Sequence, residues 1–233
     1  MGRPLFQLNE RLERCAELVR PGALLADVGT DHAYLPVWLA RRRKIVHALA
    51  LDLREAPLAR AKEHIASYRV EDLVETRLSD GLSAVQPEEA EDIVIAGMGG
   101  ELIAQILSRT PWLKDKSKRL ILQPMTAARE LRLFLAEEGF AIVEEWAVRS
   151  QGRVYAVQRV EYTGRREEGS LLYPYLGGLE HRPDALAREY AARECTHLEN
   201  QIKGLTHRGK TEEAACLQKA AAALKKWIGG KTQ

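Results

Sequence analysis

The chain predicts a doubly wound α/β sheet that ends in an antiparallel strand hairpin, with a helical hairpin appended after it. Three observations carry this. From residue 24 to residue 138, short apolar runs alternate with helical patterns, the signature of a parallel sheet covered on both faces. Two further apolar runs, 141–150 and 153–161, then follow each other with no helix between them and meet at Gln151-Gly152, a turn pair. Over residues 184–233 the apolar positions step by three and four, as in paired helices.

Taken in order, Leu8, Leu12, Cys15, Leu18 and Val19 mark an amphipathic helix that stops before Pro21-Gly22. Leu24–Val28 is a buried strand ended by Gly29. Pro36 is tolerated only in a first helical turn, so the next helix spans 35–43 and leaves Gly29–Tyr34 as a polar loop at a strand's C-terminal end. Ile45–Leu53 is the second strand, with Asp52 near its end. A helix over 55–68 leads to a strand at 74–78 and then Ser79-Asp80-Gly81. A fourth strand, 93–96, runs into Gly97-Met98-Gly99-Gly100, followed by a helix at 101–107. The fifth strand, 120–123, is expected to end at Pro124, and a helix over 127–138 stops at Gly139. Residues 163–183 read as a polar connector punctuated by Gly and Pro. Beyond it, Ala191, Cys195, Leu198, Ile202 and Leu205, then Ala214, Leu217, Ala221, Leu224 and Ile228, flank a break at Gly209 and predict an antiparallel coiled-coil hairpin. The expected units are therefore 1–162, a connector at 163–183, and the hairpin at 184–233.

Composition narrows the function classes. A net charge of +2 is no mark of a nucleic-acid binder, so contact with RNA would need local patches such as Arg41-Arg42-Arg43-Lys44, residues 114–119, or the tail. No apolar run is long enough to span a membrane, and no export signal precedes the first helix. The 3 cysteines are scattered without a C-x-x-C pair, which points to reduced thiols in a cytoplasmic protein and to no metal site. Nothing marks an obligate protein partner.

The loop after the first strand is the richest stretch. A dinucleotide fingerprint, G-x-G-x-x-G, would place glycines where this chain has Gly29, Asp31 and Tyr34. The acidic-x-G-x-G-x-G pattern of S-adenosylmethionine methyltransferases fits better, with Asp27, Gly29, Asp31 and Ala33 and two substitutions. Asp31 also reads as a plain helix-entry residue. Four strand ends then carry polar or glycine residues on one rim: Asp27/Gly29/Asp31, Asp52, Asp80/Gly81 and Gly97–Gly100. Each suits a task in a methyl-donor site. Gly29 admits close backbone approach, and Asp52 is placed to accept from ribose hydroxyls. Asp80 is placed to accept from an adenine amine between apolar walls at Leu53 and Leu82, and Asp27 or Asp31 suits an ammonium group. Gly81, Gly97, Met98 and Gly99 complete the cofactor-binding set. Gly100 extends a bare stretch of backbone that a flat substrate can approach, or serves close helix–sheet packing.

In these motifs, D-x-G-x-D-H-A-Y-L-P from Asp27, I-A-G-M-G-G-x-L-I from Ile95 and L-I-L-Q-P from Leu120, the chain resembles the bacterial TrmK family. Its members are S-adenosylmethionine-dependent tRNA (adenine-N1) methyltransferases acting at position 22. The likeness runs from Arg11-Leu12 into the tail, and implies a Rossmann-like class I methyltransferase sheet with a coiled coil that helps hold tRNA, and no metal. It implies substrate contacts at Gly100, Gln123 and Pro124, with phosphate contacts at Lys203, Arg208 and Lys210. Met125 departs from relatives that carry Asn after Gln-Pro. Adenine N1 has a free lone pair, so the catalytic expectations are positional. Asp31 would face N6 or the cofactor ammonium. His32 would assist proton transfer or order the loop, and Tyr34 would steer or stack on the base. The competing expectations are an NAD-linked oxidoreductase on the same sheet and a non-catalytic RNA-binding protein built around the coiled coil.

Overall fold

The computed structural model describes residues 4–230. Seven strands form one sheet in the order β3-β2-β1-β4-β5-β7-β6. β1 (Ala23–Val28), β2 (Ile45–Asp52), β3 (Val74–Leu78), β4 (Asp92–Gly99) and β5 (Arg119–Thr126) are parallel. β6 (Phe140–Ser150) and β7 (Arg153–Tyr162) form an antiparallel hairpin added to the β5 edge. Its turn residues Gln151 and Gly152 both have positive φ (49° and 75°), which matches the twist of the flanking strands.

Side chains alternate between the two faces, as strand geometry requires. Leu25, Ala48, Ala50, Val94 and Ile121 pack under α1 (Glu10–Leu18), α2 (Tyr34–Arg41) and α3 (Glu55–Tyr68). Ala26, Leu49, Leu51, Ile93, Ile95, Leu120 and Leu122 pack under α4 (Gly100–Ser108) and α5 (Ala128–Glu137). Because β1 to β5 are parallel, all five C-terminal ends emerge on one rim, where ligands of such sheets bind.

Two strand ends differ from expectation. β4 continues past Ala96 to Gly99, and β5 runs through Pro124 to Thr126. Proline normally ends a parallel strand because it donates no ladder hydrogen bond. Here the pairing skips: Met98 faces Pro124 between two register shifts in β4, and Gly97 takes φ +80°. The bulge removes the need for the missing donor.

Within residues 163–183, Leu172, Tyr175, Leu176 and Leu179 are buried, the middle two on the short helix α6 (Tyr173–Leu176). They join Ala147, Val154 and Ala156 of the hairpin in a third apolar cluster with α7 (Ala185–His207) and α8 (Thr211–Gly229). α7 and α8 run antiparallel: Arg188 donates to the carbonyls of Trp227 and Ile228, and Cys195 lies against Ala221. At the base of this arm, Arg132 and Glu145 form an ion pair (2.6 Å) whose side chains are both fully buried. Arg132 also donates to the Tyr175 carbonyl (2.8 Å) and the Tyr190 hydroxyl (3.2 Å). Glu145 accepts from Gln158 (2.9 Å) and from the Gly178 amide (2.8 Å). One network thus joins α5, both hairpin strands, α6 and α7.

Removing one partner of such a pair strands a buried charge. Arg132→Met is expected to lower the unfolding free energy by about 3–5 kcal/mol, and Arg132→Met with Glu145→Leu to recover part of that loss. Urea denaturation of the two variants measures the coupling; equal losses in both would show that the pair is not what joins the arm to the sheet.

Candidate active site

The loop after β1 turns toward β2, with the amides of Gly29 and Thr30 both donating to the Leu51 carbonyl (2.8 Å each). Gly29 has φ +73°. Asp31 and Ala33 also lie in the left-handed region, at φ 51° and 54°. These are the two slots where the methyltransferase pattern has glycine, so the loop keeps the glycine backbone shape with side chains in place. Aspartate tolerates that conformation; alanine there carries strain of the kind concentrated at functional sites. Ala33 is fully buried at the entry to α2, which holds it.

The loop is in contact with the tip of β4. A Cβ on Gly29 would overlap Met98 Cε, the movable end of a flexible side chain. The positive φ is therefore the stronger demand for glycine, and the contact shows how closely loop and tip approach. The Gly97 amide donates to Gln123 Oε1 (3.2 Å), which also accepts from Arg11 Nη1 (2.6 Å). On the other side the Ser79 amide donates to the Asp52 carbonyl (2.9 Å), linking the ends of β3 and β2. The loops holding Asp80, Asp52, Gly29 and Met98 are therefore consecutive along one rim.

The carboxylates differ in burial. Asp27 is 5% exposed; Thr30 Oγ1 donates to its Oδ2 (2.6 Å), and its Oδ1 has no partner among the described residues. Burial raises its pKa from 3.8 to about 6, against the lowering effect of the Thr30 hydroxyl. Burial, with the Asp27 charge, also pushes the Cys15 thiol up to about 12, so that thiol stays protonated. Asp52 is buried; its Oδ1 accepts from the Arg54 amide (3.0 Å), and its Oδ2 has no partner among the described residues. Asp31 is open to solvent, with Arg60 Nη2 at 3.5 Å and His32 Nε2 at 3.7 Å. Asp80 is open too, 3.6 Å from Arg109. Leu53 is 65% exposed beside them, an apolar surface suited to a flat ring.

Several expected residues prove to be framework. Leu82 is buried in the core beneath α4 and forms no open wall, and Gly81 (φ +61°) packs against Ile106. A Cβ on Gly100 would overlap the Ala127 carbonyl, and one on Gly99 would crowd Thr126 Oγ1, so these glycines seat α4 against the turn after β5. Gln123 is fully buried, and its Nε2 donates to the Pro124 carbonyl (3.0 Å). Both ends of the Gln123 amide are thus engaged inside the protein, and Gly100 is buried against the Ala127 carbonyl. Tyr34 is half-exposed, its ring edge-on to Phe6 (5.4 Å) and His64 (4.9 Å). The His32 carbonyl lies 2.8 Å from His64 Nδ1, and its ring leans on Tyr34. Lys203, Arg208 and Lys210 stand apart near the far end of the arm; Arg208 is roughly 22 Å along α7 from Arg193, at 1.5 Å per residue. Lys210 pairs there with Glu213.

Arg11 was not among the expected site residues. Besides Gln123 it reaches Met125 Sδ (3.1 Å) and lies over the Tyr155 ring (5.3 Å). Its partner is 112 positions away, and no local pattern announces such a contact.

A methyltransferase-domain family model matches residues 8–158. The tRNA (adenine(22)-N(1))-methyltransferase of Bacillus subtilis is 32% identical over 220 residues, covering 89% of this chain and 90% of that protein. Among solved structures, the fold is similar to the B. subtilis m1A22 tRNA methyltransferase TrmK (31% identity, TM-score 0.84, 97% of this chain and 100% of that one). It is also similar to a putative tRNA (m1A22) methyltransferase of Streptococcus pneumoniae in complex with S-adenosyl-L-methionine (32% identity, TM-score 0.81, 94% and 98%). With this identity sustained over nearly the full length of both chains, the protein belongs to the tRNA (adenine(22)-N(1))-methyltransferase family.

Proposed function

We propose that the protein methylates N1 of adenine 22 in tRNA with S-adenosylmethionine as donor, working in the cytoplasm where its substrate is. The observation that carries this is the left-handed loop at Asp31 and Ala33, pressed on the β4 tip through Gly29 and Met98, between two buried carboxylates that each keep one oxygen free. The residues present fit the donor. Asp27 would hold its ammonium group, Asp52 its ribose hydroxyls, and Asp80 with Leu53 its adenine. When bound, the donor supplies a methyl group on a cationic sulfur. That the matched relatives are methyltransferases favours this reading over an NAD-linked oxidoreductase or a non-catalytic RNA-binding protein. Among the described residues no helix is long and apolar enough to cross a membrane.

What this chain contributes is placement. Adenine N1 attacks through its own lone pair, so no base has to deprotonate it first, and orientation with exclusion of water does most of the work. The methylated ring is cationic, with its positive charge shared onto the N6 amino group. Asp31, open to solvent beside His32, is set to accept from N6 and stabilise that charge. Tyr34, fixed by Phe6 and His64, gives the extracted base a surface to lean on. Lys203, Arg208 and Lys210 offer positive charge to the tRNA backbone at a distance from the chemistry.

Incubation with unmodified tRNA and the donor, followed by nucleoside analysis, is expected to yield 1-methyladenosine at position 22 and nowhere else. Absence of that nucleoside with an active, S-adenosylhomocysteine-binding preparation would refute the reading.

Asp31→Gly removes the carboxylate while favouring the loop's own backbone conformation. It is expected to lower kcat at least tenfold with S-adenosylhomocysteine affinity within twofold; a matching loss of affinity would assign Asp31 to the cofactor instead.

Asp27 gives a pH-dependent trade-off. Its folded pKa of about 6 lies above the unfolded value, so protonation favours the folded state. The destabilisation from its charge is absent below about pH 4 and complete above about pH 6, on the order of 3 kcal/mol. Asp27→Asn is therefore expected to be the more stable protein at pH 8 and no more stable than wild type at pH 4, while binding S-adenosylhomocysteine at least tenfold more weakly at pH 8. Thermal melts and calorimetry at the two pH values check both halves.

A further inference from the structure

Past the end of β5 the rim opens into a cavity of about 330 Å³. The turn from Met125 to Arg129 lines one side, Tyr155 of β7 another, and the Arg193, His197 and Gln201 positions of α7 a third. None of Asp27, Asp31, Asp52, Asp80 or Met98 lines it, so it is distinct from the proposed cofactor site. It adjoins that site through backbone, since Thr126 and Ala127, which border the cavity, are the residues against which Gly99 and Gly100 are seated. Neighbouring strands are spaced by nearly 5 Å, so the cavity lies one to two spacings, roughly 5–10 Å, from the β4 tip.

We infer that this cavity receives a nucleotide adjacent to the target adenosine. The inference rests on the tRNA methylation proposed above and adds a second place where the RNA is gripped. Size is the first argument: the volume falls at the lower end of the range for small-ligand pockets, roughly 300–1,000 Å³, enough for one nucleoside and too small for a helix or a folded peptide. Free polar edges are the second. His197 and Gln201 are exposed and make no hydrogen bond to any described residue, which leaves donors and acceptors for a base edge above the apolar surfaces of Tyr155 and Leu198. Charge is the third. Arg129 lies over the Tyr175 ring (5.5 Å) and Arg193 over the Tyr190 ring (4.8 Å), which holds both guanidinium groups at the wall. Glu130 and Glu194 pair with them at 3.3 Å and 3.2 Å, so the pocket is close to neutral. A free anion suits such a pocket poorly; a neutral base carrying its phosphate at the mouth suits it well. Enzymes that take a base out of its stack also set their substrate choice by contacts to the nucleotides that flank it, and this cavity offers one of them a seat.

The test uses the full-length protein and three tRNA transcripts: intact, abasic immediately 5′ of adenine 22, and abasic immediately 3′ of it. Wild type is expected to lose about tenfold in kcat/KM on one of the two abasic transcripts. His197→Ala with Gln201→Ala is expected to lose about tenfold on intact tRNA and nothing further on that same abasic transcript, because base and side chains act as one contact. Its S-adenosylhomocysteine affinity and Tm should match wild type, both side chains being exposed and without partners. The inference is overturned if the double variant equals wild type on intact tRNA, if neither abasic transcript is impaired, or if the two losses multiply. Wild type that methylates no intact tRNA overturns the function reading itself, a result the variants cannot mimic.

Discussion

The amide of Gln123 is the contact on which the rim depends. The tip of β4 is Gly97-Met98-Gly99, a ribbon with one side chain, and its pairing with β5 is broken by two register shifts opposite Pro124. A backbone N–H left in such a bulge must still find an acceptor. Gln123 Oε1 supplies it to Gly97, and Arg11 Nη1, at 2.6 Å on the same oxygen, strengthens the acceptor with a charge-assisted bond. One buried side chain thereby sets the β4 tip, draws α1 over the sheet and places Met98 against Gly29. The proline that interrupts the ladder and the glutamine that repairs it are adjacent in sequence.

What surrounds that frame is a balance of strain and charge held for binding. Ala33 sits in a left-handed conformation that glycine would adopt freely, and Asp27 keeps a carboxylate in a site that favours its neutral form. Neither feature helps folding. Both would serve the proposed donor, a cationic ligand with a long polar body: the loop would lie close to it, and the buried carboxylate would meet its ammonium. Stability is spent where function needs it, and the large apolar layers on either face of the sheet carry the difference.

The alternation of strands and helices was legible because buried parallel strands are written as apolar runs and covering helices as amphipathic ones; α3 and β3 fall where periodicity places them, at Glu55–Tyr68 and Val74–Leu78. The acidic strand ends were legible too, since Asp27, Asp52 and Asp80 each follow or close such a run. Pro124 misled because a local rule about ladder donors cannot see a bulge in the neighbouring strand. Gly100, Leu82 and Gln123 mark a related limit: each has a residue type suited to a ligand, and only tertiary contacts to Ala127, the core beneath α4 and Gly97 show its work in the framework. Arg11 left no signal, its role being made by a fold that joins positions far apart.

The same distinction decides which positive charges face RNA. Arg41–Lys44 and residues 114–119 read as basic patches, yet they precede β2 and β5 and so lie at the rim opposite the site. Several of their charges are also engaged there. Lys44 Nζ donates to the carbonyls of Ala16 (2.6 Å) and Glu17 (3.1 Å), Arg42 lies over Trp38, and Lys118 binds the carbonyls of Pro87 and Ala90. Cations that satisfy carbonyls at helix and loop ends are poor candidates for phosphate contact, because leaving would expose unmet acceptors. What remains on the proposed rim is Arg54, Arg60, Arg109 and Arg129, each near an acidic side chain, with the lysines of the arm beyond. The Arg132–Glu145 network ties that arm to the sheet through five elements, so the space between α7 and the β5 turn is part of the folded state. An electrically modest protein can therefore present positive charge to a polyanion: the cations of the proposed rim are paired mainly with exposed carboxylates, which they can leave at little cost, while those of the opposite rim are committed to the fold.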